Sequence, residues 1–134
     1  MFDHLGIVVR DLAASRVFYS ACLEPLGLRL LEDHSQSSRE GWLVYGPPSR
    51  SSFLVVAAGR PGYWTSSHQA SAFPIHLALA AESTAAVDAF HRAGLESGGR
   101  DNGPPGSRGP SGTYYAAYLI DPDGNNVEAG RRAR

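Results

Sequence analysis

The sequence has no lysine, one cysteine and one methionine, and it contains no hydrophobic run long enough to span a bilayer. The absence of lysine excludes Schiff-base chemistry on a protein amine and a Walker-type phosphate loop, because both need an ammonium group. A single cysteine cannot form an intrachain disulfide, which fits a reducing compartment. The N-terminus lacks the basic and then apolar character of a signal peptide, so we expect a cytoplasmic protein.

Neither sign of charge predominates. Twelve basic residues oppose thirteen acidic ones, and the formal net charge is −1. This balance gives no general attraction for phosphate backbones or anionic lipids, so we expect a small-molecule partner and no nucleic-acid or membrane partner. With 134 residues, of which 43% are hydrophobic, the chain can bury one core but not two independent ones. We therefore predict one domain over 1–134.

An internal repeat organises what the sequence does contain. An offset of 72 residues pairs His4 with His76, and it also pairs Leu5 with Leu77, Ile7 with Leu79, Phe18 with Phe90, Leu23 with Leu95 and Gly27 with Gly99. Each copy has a short apolar strand with a histidine near its start, a polar turn, a helix with one apolar stripe and a closing glycine. We predict two half-domains: module 1 at about 1–58 and module 2 at about 74–130, joined by a linker over 59–73.

In module 1 the apolar patterns predict strands over 2–9, 28–32, 42–46 and 52–58. Asp11 is placed to cap a helix that ends near Gly27. In module 2 the patterns predict a strand over 75–81, a helix over 83–96, a strand over 114–120, a turn over 121–124 and a return strand over 125–129.

Two segments of module 2 have no regular pattern. Residues 101–112 contain three prolines and four glycines, which predicts a long loop. The arginine-rich segment 131–134 is predicted to be a frayed, solvated end.

His4, His76 and Glu128 are candidate metal ligands. The repeat gives the two histidines equivalent positions, and neutral imidazole is a common metal ligand. Glu128 lies between Val127 and Ala129 in a predicted strand, where an unpartnered carboxylate would be costly to bury and a divalent cation would offset that cost. Two histidines and one carboxylate form a facial triad that suits Fe(II), and Mn(II), Zn(II) or Ni(II) are the other candidates. A lone histidine on a strand is more often structural, so the hypothesis depends on all three residues.

Three tyrosines precede the turn over 121–124. Alternation along a strand places Tyr114 and Tyr118 on one face of the sheet and Tyr115 on the other. Tyr114 and Tyr115 are candidate catalytic residues, and Tyr118 is a candidate for substrate binding. The alternative for each is an aromatic of the core or surface.

Three other side chains are candidates for substrate binding. Arg108 could clamp an anionic substrate, because guanidinium matches carboxylate geometry; the alternative is a solvated loop arginine. The linker carries Trp64 and His68, large side chains that a spacer does not need, and these could line a cavity mouth.

Three motifs together resemble the vicinal oxygen chelate superfamily: DHLGIVV at 3–9, IHLA at 75–78 and DPDGNNVE at 121–128. This superfamily includes glyoxalase I, bleomycin resistance proteins, fosfomycin resistance proteins and extradiol dioxygenases. The resemblance covers nearly the whole chain. It implies an α+β fold of two βαβββ modules, whose curved mixed sheet encloses a cavity. It also implies a metal held by a histidine from the first strand of each module and a glutamate from the last strand, which match His4, His76 and Glu128.

One departure from the resemblance bears on the reaction. Glyoxalase I has a further carboxylate in the last strand of its first half, whereas residues 52–58 contain none and Val55 or Val56 occupies that position. Isomerisation of a hemithioacetal needs a base to remove a proton, and the missing glutamate is the natural candidate. We therefore do not expect true glyoxalase I activity.

The resemblance leaves three interpretations of the function. The first is a metal-dependent enzyme of dioxygenase or lyase type that chelates a small oxygen-rich substrate. The second is a non-catalytic protein that sequesters a drug or other small molecule, as bleomycin resistance proteins do. The third is a fosfomycin-type thiol transferase. Retention of all three ligands favours the first. The resemblance further implies a homodimer, with each site formed within one chain or across two.

Overall fold

The computed structural model describes residues 2–62, 64–65, 67, 73–109 and 112–133. Module 1 contains β1 (His4–Val9), α1 (Leu12–Leu23), β2 (Arg29–Asp33), β3 (Gly41–Gly46) and β4 (Phe53–Ala58), and module 2 contains β5 (His76–Ala80), α2 (Thr84–Glu96), β6 (Arg100–Arg108), β7 (Tyr114–Ile120) and β8 (Asn126–Arg132). A short 3₁₀ turn, Glu24–Leu26, follows α1. The two modules thus share one βαβββ order, and the predicted α+β class is confirmed.

Each module forms its own four-stranded mixed sheet. The strand orders are β1-β4-β3-β2 and β5-β8-β7-β6. The pairs β1–β4 and β5–β8 are parallel, and the other pairs are antiparallel. The first strand of each module therefore lies at an edge of its sheet, and the two sheets are not joined into one.

The helices cover one face of each sheet. Asp11 caps α1 by accepting from the backbone N–H groups of Ala13 and Ala14, and Ser83 caps α2 by accepting from Ala86 N–H. α1 contacts α2, β2, β3 and β4, whereas α2 contacts β6, β7 and β8. Phe18 on α1 and Phe90 on α2, which the repeat pairs, are both fully buried in the core between helices and sheets. No helix in the described residues is long and apolar enough to cross a membrane.

A buried hydrogen bond joins the two modules. Tyr19 on α1 donates to Asp121 Oδ2 at 2.7 Å, and Asp121 Oδ1 also accepts from the N–H groups of Asp123 and Asn125. Burial, and then the charge of Asp121, raise the pKa of Tyr19 far above its usual range. The turn that leads into β8 is therefore held on a helix of the other module.

The prediction of a loop over 101–112 is wrong over most of its length, because β6 extends from Arg100 to Arg108. The strand forms the outer edge of its sheet, and its pairing with β7 shifts register between Asp101 and Gly103 and again between Gly103 and Gly106. Pro104 and Pro105 fall inside the second shift. An edge strand needs backbone donors on one side only, so it tolerates prolines that a central strand would not.

The prediction of a frayed end over 131–134 is also wrong for Arg131 and Arg132, which belong to β8. β8 continues to Arg132, Arg131 Nε donates to the carbonyl of Glu82 at 3.2 Å, and the guanidinium of Arg132 lies over the ring of Tyr114. The parallel pairing of β8 with β5 and its antiparallel pairing with β7 order this segment.

Candidate functional site

Glu128 is a buried carboxylate on the face of the module 2 sheet that is turned away from α2. Its side chain is 7% exposed, and Oε2 lies 3.1 Å from His76 Nε2. The hydroxyl of Tyr114 donates to Oε1 at 2.6 Å. Both carboxylate oxygens therefore have a partner, as a buried carboxylate requires.

His76 is oriented by side chains on the neighbouring strands. Asn126 Nδ2 lies 2.7 Å from His76 Nδ1 and donates to it, which leaves the ring proton on Nε2, facing Glu128. Asn126 Oδ1 in turn accepts from Asn102 at 3.0 Å. A metal at Nε2 would require the proton on Nδ1 instead, and the Asn126 amide can meet that need by presenting its oxygen.

His4 lies apart from this pair. It is near the start of β1, where its ring stacks on Phe53 with centroids 5.0 Å apart, and its Nδ1 lies 2.6 Å from Asp3 Oδ1. Across the residues that the structure describes, no three histidine, cysteine, aspartate or glutamate side chains are grouped to hold a metal ion. One chain thus brings together two of the three predicted ligands. Their imidazole and carboxylate donors suit a divalent metal, but the three-ligand site does not form within one chain.

The tyrosines divide between the two faces as the alternation predicts. Tyr118 pairs with Glu128 in the register of β7 and β8, and Tyr114 bonds to Glu128 directly. Burial, and then the hydrogen bond to Glu128, raise the pKa of Tyr114 to about 12. Tyr115 lies on the opposite face, where its hydroxyl donates to Asp88 of α2 at 2.8 Å. The structure therefore does not bring Tyr115 to the site.

Two arginines lie on the same face as Glu128. The guanidinium carbon of Arg108 is 5.2 Å from the centroid of the Tyr118 ring, and that of Arg132 is 4.5 Å from the centroid of Tyr114. Arg132 and Asn126 were not predicted as site residues. Alternation along β8 from Glu128 indicates Asn126 within the predicted strand, and it would have indicated Arg132 had the strand been extended to its observed end. A cavity of about 560 Å³ adjoins this face and is lined by residues that include Tyr114 and Arg132.

The structure describes one of the two linker candidates. Trp64 lies close to Pro61, whose carbonyl accepts the Trp64 backbone N–H at 2.9 Å. His68 lies outside the described residues.

The module 1 sheet has no carboxylate at the position that corresponds to Glu128. Val55 pairs with Gly6 on β1, as Glu128 pairs with Ala78 on β5, and the repeat offset relates Gly6 to Ala78. Val56 points to the core and is fully buried. A cavity of about 680 Å³ adjoins Val55, and its lining includes Gly6, Trp42, Ala57 and Pro61. The module 1 counterpart of the site thus combines apolar side chains with the polar residues Gln36, Arg39, Glu40 and Arg60, which also line the cavity.

Comparison with known proteins gives one consistent result. The model of the Glyoxalase/Bleomycin resistance protein/Dioxygenase superfamily matches residues 1–129. No curated protein matches the chain.

Solved structures share the fold over nearly the whole chain. A glyoxalase/bleomycin resistance protein from Albidiferax ferrireducens T118 is 35% identical, with a TM-score of 0.75 over 98% of this chain and 99% of that one. A glyoxalase-related enzyme from Fulvimarina pelagi is 19% identical, with a TM-score of 0.66 over 96% and 86%. A lactoylglutathione lyase from Agrobacterium tumefaciens is 19% identical, with a TM-score of 0.65 over 98% and 92%. The last two likenesses concern the fold alone.

Proposed function

Because the chain belongs to the Glyoxalase/Bleomycin resistance protein/Dioxygenase superfamily, we propose that it is a divalent-metal-dependent enzyme acting on a small, oxygen-rich substrate. The observation that carries this proposal is the contact of His76 Nε2 with the buried carboxylate of Glu128. His76 Nε2 and Glu128 Oε2 would be two of the metal ligands, and His4 would supply the third. A bound metal would supply Lewis-acid stabilisation of the substrate's oxygens at its open positions.

The third ligand is proposed to come from a second copy of the chain. The packing of α1 on α2 and the Tyr19–Asp121 hydrogen bond fix the modules in an arrangement that keeps His4 away from Glu128. Closing the site within one chain would require breaking these contacts. β1 and β5 are edge strands, and the side chains of His4 and His76 are 54% and 53% exposed. Unpaired strand edges are ready to pair with another chain.

A homodimer follows from this arrangement. If a two-fold axis brings β1 of one copy towards β5 of the other, the same contact forms twice. Each dimer then has two sites, and each site takes His4 from one copy and His76 with Glu128 from the other.

Tyr114 and Asn126 hold the side chains of Glu128 and His76 in position. Tyr114 holds Oε1 of Glu128 by donation, which leaves Oε2 for the metal. Asn126 orients the ring of His76. Val55 in place of a carboxylate leaves module 1 without a base at that position, so the proposed reaction is of dioxygenase or lyase type and not hemithioacetal isomerisation.

Elemental analysis of the purified protein tests this function. The wild type is reconstituted in turn with Fe(II), Mn(II), Zn(II) and Ni(II), beside His4→Ala, His76→Ala and Glu128→Ala. We expect about one metal ion per chain in the wild type and loss of the metal in all three variants. His34→Ala is the matched control, because this exposed histidine stacks on Trp42 and belongs to no proposed site. A wild type that stays empty with all four metals would contradict the proposal.

A second candidate is a non-catalytic protein that sequesters a small molecule. The cavity beside Val55 favours it, because Trp42 is 44% exposed there and the lining is largely apolar. Sequestration predicts that a ligand binds equally well with and without metal and is recovered unchanged. Metal-dependent binding followed by turnover favours the enzyme.

A further inference from the structure

Arg108 is folded back across its own strand on the face that carries Glu128. Its Nη2 donates to the carbonyl of Pro104, and its guanidinium lies over the ring of Tyr118. A side chain at Gly103 or Gly106 would place its Cβ 3.6 Å or 3.4 Å from the guanidinium nitrogens. Because Gly103 and Gly106 have no side chains, the Arg108 side chain can pack directly against the backbone of β6.

The charge of Arg108 has no acidic partner in the described part of the chain. No carboxylate there lies within 4.0 Å of its guanidinium, and its buried Nε has no hydrogen-bond partner. Asp101, the acidic residue of β6, bonds instead to His91 and to the N–H of Gly103. An unpaired buried donor on a charged group is unfavourable, and a bound anion would relieve that cost.

The charges on this face favour an anionic ligand. Arg108 and Arg132 contribute two guanidinium groups, and Glu128 is held by Tyr114 and His76. Glu82 also lines the cavity beside Arg132, and it is exposed. Guanidinium groups bind the oxygens of carboxylates and phosphates through charge-assisted hydrogen bonds. Tyr118 lies opposite Glu128 in the register of β7 and β8, and the Arg108 guanidinium carbon lies 5.2 Å from the centroid of the Tyr118 ring. With neighbouring strands about 5 Å apart, the guanidinium of Arg108 and the carboxylate of Glu128 are therefore roughly 10 Å apart.

On the basis of the function proposed above, we propose that the substrate carries an anionic oxygen group, a carboxylate or phosphoryl group, which Arg108 binds about 10 Å from the chelated oxygens. The substrate class is therefore a small acid with vicinal oxygens at one end and the anionic group at the other. Arg108 is a specificity-determining residue in this proposal, because it selects the anionic end and does not touch the chelated oxygens.

A matched pair of probes tests the proposal on the metal-loaded protein. Hydrocaffeate is a catechol with a propionate chain, and propylcatechol is the same catechol with a neutral chain. We expect hydrocaffeate to bind the wild type at least about tenfold more tightly. Arg108→Gln should abolish this preference and leave the affinity for propylcatechol unchanged, while Arg108→Lys should keep part of it. Arg92→Gln, at an exposed arginine of α2, should behave as the wild type. An unchanged preference in Arg108→Gln would overturn the proposal.

A metal-free arm separates failure of this inference from failure of the proposed function. Inorganic phosphate is titrated into the metal-free protein while the Nε–H resonances of its arginines are followed by NMR. A saturable shift at Arg108, absent at Arg92, supports the anion site even if no metal ever binds. Equal shifts at both arginines, or none at Arg108, would refute the site whatever the metal content.

Discussion

Glu128 depends on Tyr114 for one of its two hydrogen-bond partners. Tyr114→Phe leaves Oε1 without its donor in a buried position, so we expect the free energy of unfolding to fall by about 1–3 kcal/mol. Metal affinity should fall roughly 10- to 100-fold, because the hydroxyl orients the carboxylate. Urea unfolding and metal titration measure the two effects.

Tyr115→Phe is the matched control for this substitution. It also removes one tyrosine hydroxyl, but its bond is to Asp88 on the helix-covered face. We expect metal affinity equal to that of the wild type and a smaller loss of stability than in Tyr114→Phe. If both tyrosine variants lower metal affinity equally, Tyr114 has no specific task at the site.

At the scale of single residues, much of the candidate site could be predicted from the sequence. The 72-residue offset pairs the histidines, and period-two alternation separates Tyr115 from Tyr114 and Tyr118, as the structure confirms. The sequence left Val55 and Val56 as alternatives, and the 72-residue offset relates Glu128 to Val56. Only the strand register selects Val55, because register depends on pairing between distant segments.

At the scale of elements, a hydrogen bond between α2 and β6 makes stability depend on pH. The bond from His91, and then that from the Gly103 N–H, lower the pKa of Asp101. A carboxyl whose pKa is lower in the folded state stabilises the fold above its unfolded pKa of about 3.9, and this contribution is lost as the pH falls through the folded pKa.

Asp101→Asn tests this element-scale account. We expect the variant to be less stable than the wild type at neutral pH, with the difference shrinking as the pH falls below about 4. Urea unfolding as a function of pH measures it. Glu96→Gln, at an exposed site on α2, is the control and should follow the wild type throughout. A stability difference that is constant with pH would argue against the His91–Asp101 bond as its source.

Elements whose patterns are local were predicted well, and β6 was not. The capped helices have local signals, since Asp11 and Ser83 stand directly before their apolar stripes. β6 is rich in glycine and proline, and its stability as a strand comes from pairing with β7 at a sheet edge. The ordered end of β8 likewise depends on both of its neighbours. Stabilisation by a neighbouring strand cannot be inferred from the composition of a segment's own residues.

At the scale of the whole molecule, the Tyr19–Asp121 bond is a buried hydrogen bond between α1 and the turn before β8. Arg10 of module 1 also donates to Asp123 of this turn, but at an exposed position. Tyr19→Phe removes the Tyr19–Asp121 bond from a buried position and should lower the free energy of unfolding by about 1–3 kcal/mol. Ser20→Ala, which removes a hydroxyl paired with Tyr45 within module 1, is the control. We expect hydrogen exchange in 121–126 to increase in Tyr19→Phe and not in Ser20→Ala. Unchanged exchange in Tyr19→Phe would mean that the bond does not hold the turn.

The relation between the two sheets is the feature that the sequence could not supply. A repeat predicts two equivalent modules, but equivalent modules can combine within one chain or between two, and the same residues face the site in both cases. The structure leaves β1 and β5 at sheet edges and keeps His4 away from His76 and Glu128. This arrangement leads to the central claim that each site is shared by two copies.

Metal content of a mixed dimer tests that claim most directly. His4→Ala and Glu128→Ala chains, carrying different affinity tags, are co-expressed, and the heterodimer is isolated through both tags in succession. If sites form across the dimer, one of its two sites has all three ligands, and the heterodimer should bind about half the metal of the wild type while neither variant alone binds any. If sites form within one chain, every site in the heterodimer lacks a ligand. An empty heterodimer beside a metal-loaded wild-type dimer would contradict the shared site.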